Sequence, residues 1–140
     1  MIEGGTRTNV IPEKARVMVD VRSSRAGGMR AIERKFRALR PILRGAKLQI
    51  RGGFNRPPME RKNSAALYAK ARALAKEMGV TLGDAYVGGG SDGNFTAALG
   101  VPTLDGLGAV GEGAHSPDEN ILIRALLGRA ALLAGLLATI

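Results

Sequence analysis

The chain has 140 residues, 45% hydrophobic and only 4% aromatic, with a formal net charge of +9. That length fits one domain or two small ones. Having no cysteine, the chain can build neither a disulfide framework nor a thiolate site, and a reducing, cytoplasmic setting is expected.

"TRTNVIP" at residues 6–12 ends in proline and reads as the end of an extended segment. In "KARVMVDVR", residues 14–22, Ala15, Val17, Val19 and Val21 alternate with Arg16, Met18, Asp20 and Arg22. That alternation predicts a half-buried strand, joined to the first segment by Pro-Glu-Lys as an antiparallel pair. Met29, Ile32, Phe36 and Leu39 have helical spacing, which predicts an amphipathic helix over 27–40 that stops near Pro41. "AKLQIRGGF", residues 46–54, reads as a further strand. Strand, strand, helix and strand are most of a ferredoxin-like unit that lacks its opening strand and helix.

"FNRPPMER" is a stiff polar linker, so a boundary is expected at residues 56–57. Asn63 or Ser64 is placed to cap an alanine-rich helix that stops at Gly79. "VTLGDAYVGGG" reads as a short strand entering a glycine turn, "DGNFTAALG" as a short helix ended by Gly100, and "VPTLDGLG" as another strand. A final helix is expected over 118–138. Its apolar run, Ala125–Ile140, is broken by Gly128, Arg129 and Gly135 and is too short to span a bilayer, so no membrane partner is expected. No secretory leader pattern is present. The overall class is α/β (α+β).

The basic excess lies mostly between Arg22 and Arg72, spread over helix faces and turns. With few aromatics for base stacking and no nucleic-acid module, a solvated basic surface is the plainer reading.

His115 is the only histidine. In a loop flanked by Gly113 and Ser116, it suits a metal ligand, a general base, or an ordinary hydrogen-bonded loop residue. Asp118 and Glu119 suit a first helical turn, where acids offset the helix dipole. "GGGSDGN", residues 88–94, follows a strand and opens a helix, where backbone N–H groups can face an anion. It is neither a dinucleotide fingerprint nor a phosphate loop. Asp92 either caps that helix or stands beside a site. Asn9, Arg22 and Arg56 lie at element ends, and the two arginine forks suit a carboxylate.

As an ordered set, "TNVIP", "DVR", "GGFNRPP", "GGGSDGN" and "GAHSPDEN" resemble the zinc-dependent exopeptidases and amidohydrolases. This group includes glutamate carboxypeptidase, acetylornithine deacetylase, succinyl-diaminopimelate desuccinylase and aminoacylase. The resemblance covers nearly the whole chain and looks closest to the glutamate carboxypeptidase branch. It implies a two-zinc catalytic domain interrupted by a ferredoxin-like dimerisation domain, and hence a homodimer. Residues 1–56 would be the latter part of the dimerisation domain and residues 57–140 the C-terminal part of the catalytic domain. His115 would be the last zinc ligand. Asn9, Arg22 and Arg56 would contact the substrate's carboxylate or amide groups, with Gly89, Gly90 and Asp92 against the pocket.

The family's His-x-Asp motif, bridging aspartate and paired glutamates have no counterpart here, since there is one histidine and no Glu-Glu pair. No catalytic residue is therefore assigned. The expectation is the C-terminal part of a hydrolase that acts on a carboxylate-bearing peptide or N-acyl amino acid, inactive without an N-terminal catalytic portion. A non-enzymatic dimerisation module and a basic anion- or nucleic-acid-binding protein are the alternatives.

Overall fold

A computed structural model describes all of residues 1–140. Four helices and two small antiparallel sheets make the chain an α+β structure. The first sheet pairs β1 (Ile2–Gly4) with β2 (Ala15–Val17), setting Ile2 opposite Val17 and Gly4 opposite Ala15. The antiparallel pair expected from the sequence is thus present, but its first strand is Ile2–Gly4 rather than "TRTNVIP". The connection turns at Gly5, whose φ of +84° suits glycine. The expected strand over 14–22 shrinks to three residues, all exposed. No second layer covers either face of the pair, so its alternation has no buried side to fill.

Helix α1 (Ala26–Ala38) forms where the apolar spacing places it. Met29 is buried, Ile32 and Phe36 are half-covered, and Leu39 is half-exposed beyond the helix end. Residues 46–54 form no strand, nor do residues 80–90 or 101–108. Each is an apolar stretch with no neighbouring strand to complete a ladder, and without that pairing the β-propensity is not realised.

Helix α2 (Arg61–Glu77) starts earlier than expected, with Glu60 rather than Asn63 or Ser64 at its N-cap. Gly79, at φ +72°, ends it in the left-handed conformation that closes many helices. Helix α3 (Gly93–Ala98) is one and a half turns and stops before Gly100. Strands β3 (Gly111–Glu112) and β4 (Asn120–Ile121) pair across the His115 loop. Residues 118–122, expected to be helical, are therefore partly strand, and α4 (Ile123–Leu137) begins only after them.

The core is the junction of α2 with α4. Ala71 and Ala75 on α2, and Leu132 and Leu136 on α4, are buried at i, i+4 spacing along one stripe of each helix. Gly135 faces Leu74 across this junction, where a Cβ would sit at an ordinary contact distance of 3.7 Å. The Lys70 ammonium donates to the Thr139 carbonyl at 2.9 Å and ties the end of α4 to α2. Only Ala97 and Met29 are buried elsewhere. No helix is long and apolar enough to cross a membrane.

Candidate functional site

The main concavity is an open groove of about 1360 Å³. Its walls come from the end of the β2 segment (Asp20–Ser24), the linker (Phe54–Met59), the face of α2 carrying Tyr68, and the glycine segment Leu82–Gly90. Arg22, Arg56, Gly89 and Gly90, separated widely in sequence, therefore line one space.

Arg22 is committed to the protein. Its Nη2 lies 2.8 Å from Asp20 Oδ2, its Nε also donates to that carboxylate, and its Nη1 donates to the Gly88 carbonyl. The hydrogen bonds from Arg22, with its positive charge second, hold the Asp20 carboxyl below the usual carboxylate range. The same bonds raise the guanidinium. Asp20 and Arg22 sit two apart on a strand-like segment, so they share a face. That spacing was the sequence signal for a pairing that the motif reading passed over.

Arg56 is held more loosely. Its Nη2 is 3.6 Å from Asp92 Oδ1, with the Asp92 side chain almost fully exposed. Its guanidinium carbon lies 5.0 Å from the centroid of the Phe95 ring, within cation–π range. Gly90 is needed there, because a Cβ would fall 2.8 Å from Arg56 Cδ. Asp92 stands at the N-cap of α3 but makes no side-chain cap bond. Its neighbours do that work instead: Gly93 N–H donates to Ser91 Oγ at 3.1 Å, and Ser91 N–H donates to Asn94 Oδ1 at 2.9 Å. These bonds satisfy the N–H groups of Ser91 and Gly93 within the turn. The expected cap role of Asp92 is replaced by its ion pair.

Asn9 and His115 do not line the groove. Asn9 is exposed in the β1–β2 connection, and His115 is exposed in the β3–β4 loop. His115 alone among non-glycine residues has a left-handed backbone, φ +67°. The loop holds it there: His115 N–H donates to Glu119 Oε2 at 3.1 Å, and Ser116 N–H to the Gly113 carbonyl at 2.8 Å. Glu119 thus serves the loop rather than a first helical turn. No group of three or more His, Asp or Glu side chains converges to hold a metal ion. A zinc centre takes three or four protein ligands. The residues of this chain therefore do not make one, and His115 is at most a single donor.

The sequence model of peptidase family M20/M25/M40 matches residues 3–139. Carboxypeptidase G2 of Pseudomonas sp. (strain RS-16) is 33% identical over 120 residues, which cover 81% of this chain and 28% of that protein. The chain thus spans well under a third of the length of this curated relative. No solved structure matches.

Proposed function

The chain belongs to peptidase family M20/M25/M40, and from that premise we propose that it forms the C-terminal portion of a zinc-dependent carboxypeptidase or amidohydrolase. The bond cleaved is a peptide or N-acyl amide beside a free carboxylate, as in the glutamate carboxypeptidase-like branch. The observation that carries this reading is the convergence of Arg22, Arg56 and the Gly88–Gly90 turn on one groove. The two arginines divide the work. Arg22, bonded to Asp20 and Gly88, fixes the turn against the groove wall. Arg56, flanked by the Phe95 ring and by a long contact to an exposed aspartate, receives the substrate carboxylate through its in-plane N–H groups. Gly89 and Gly90 carry no side chain to obstruct the substrate's backbone.

Bound zinc would supply an activated water and a polarised amide carbonyl. This chain contributes His115 as one ligand, and the other ligands and the general base lie outside it, so the chain alone turns nothing over. Unpartnered apolar surface supports a larger whole. Helix α4 carries apolar side chains beyond the stripe packed on α2, with Ile123, Leu127 and Leu137 largely exposed, and a larger core would ordinarily cover them. In the same reading, residues 1–56 belong to a ferredoxin-like dimerisation domain. The free edges of the β1–β2 pair suit strand pairing across a homodimer.

The test is the intact mass of the native gene product, followed by hydrolysis of N-acyl-L-amino acids and their carboxamides. A mass well above 14.6 kDa, with turnover of the acids but not of the amides, is expected. The 140-residue chain alone is expected to be inert. A native product no larger than this chain, or equal turnover of acid and amide, overturns the reading.

A further inference from the structure

The first turn of α3 has its N–H groups spoken for. Beyond Ser91 and Gly93, the Asn94 N–H donates to the Ser91 carbonyl at 3.1 Å and the Phe95 N–H to the Asp92 carbonyl at 3.0 Å. What this turn holds is a cation. Asn94 Nδ2 donates to the Pro57 carbonyl at 2.8 Å, pinning the backbone next to Arg56. The Phe95 ring lies under the guanidinium, and the missing Cβ of Gly90 leaves room for the arginine stem. One short motif therefore fixes both ends of the Arg56 side chain.

We propose that Phe95 and Asn94 are positioning residues that aim Arg56 into the groove, a role resting on the carboxylate-binding reading above. The ring takes up no N–H group, and Asp92 Oδ1, at 3.6 Å from Nη2, lies beyond hydrogen-bond distance, so the guanidinium fork remains for a carboxylate to take in a bidentate pair. An arginine already ordered loses less rotamer freedom when the substrate arrives, so affinity rises without a new contact to the substrate.

The experiment uses the ¹⁵N-labelled chain, with N-acetyl-L-alanine as probe and its neutral carboxamide as control. In the wild type, the Arg56 Nε–H resonance is expected to be shifted by the ring current of Phe95, and the acid to bind in preference to the amide. Phe95→Leu keeps the bulk but removes the π face. It should return that resonance to an ordinary position and weaken the acid by roughly two- to fivefold. Phe95→Tyr should restore both, and Asn94→Ala should weaken acid binding with the ring still in place. A Phe95→Leu chain with an intact backbone spectrum and unchanged affinity overturns the proposal, as does an unshifted Arg56 resonance in the wild type. A shifted resonance without preference for the acid fails differently: the carboxylate reading is then wrong, and Phe95 is only a packing partner.

Discussion

Residues 61–140 and residues 1–60 are held by different forces. The first group contains Ala71, Ala75, Ala97, Leu132 and Leu136, and the second buries Met29 alone. In the C-terminal part, helix packs on helix. In the N-terminal part, a pair of three-residue strands and exposed ion pairs such as Arg16–Glu3 do most of the holding. Exposed pairs contribute little. Stability is therefore unevenly distributed, and the groove lies where the two parts meet, with Arg22 and Arg56 on one side and Gly88–Gly90 on the other. The candidate site is anchored on a packed wall and closed by a loosely held one.

Leu132→Ala tests that contrast most severely. It empties the α2–α4 junction and should cost about 2–4 kcal/mol, read from urea unfolding followed by helical circular dichroism. Met29→Ala should cost less, because Met29 sits at the edge of a small pocket with Phe54, Pro57 and Pro58. Its effect should be confined to α1. Equal losses from the two substitutions would show that the chain unfolds as one unit, and the contrast would dissolve.

Two smaller changes sharpen the same picture. Gly135→Ala adds a methyl at ordinary contact distance from Leu74 and removes a helix-interior glycine, so a gain of about 0.5–1 kcal/mol is expected. His115→Gly relieves the only left-handed non-glycine residue and should also stabilise, by about 1 kcal/mol. Thermal melts distinguish the outcomes. If His115→Gly destabilises the chain, the imidazole is a structural prop and its backbone geometry has no link to ligand presentation.

Helices were legible because their signals are local. The spacing of Met29, Ile32 and Phe36 and the stops at Gly79 and Gly100 needed nothing beyond the chain itself. Strands were less so, because a strand depends on a neighbour: the first antiparallel pair was expected, but with other residues as its first strand. Residues 46–54 carry strand-like residues but pair with nothing, and β3 and β4 are two-residue rungs that no periodicity would reveal. In the site, Arg22, Arg56 and the glycine turn were legible as motifs, while their partners were not. Asp20 was visible only as the i, i+2 companion of Arg22. Phe95 was one of three phenylalanines in the chain, and only the fold places it beneath Arg56.

The gentlest test concerns the tie of α1 to the start of α2. Glu60, at the start of α2, accepts the Ala26 N–H at the start of α1 at 3.0 Å and pairs with Lys62 at 3.1 Å. The bond from Ala26, with Lys62 second, holds the Glu60 carboxyl below the usual glutamate range. A carboxyl lowered by folding stabilises the fold above its unfolded value, and that contribution fades as pH falls through the lowered one. The Ala26 amide resonance should therefore titrate below the ordinary glutamate range. Amide protection in α1 should fall with it, while α2 and α4, packed on each other, keep theirs. Glu60→Gln should remove the titration and leave α1 loosened at neutral pH. If α4 loses protection together with α1, the weakly held wall and the packed wall are not separable, and the groove opens only when the whole chain does.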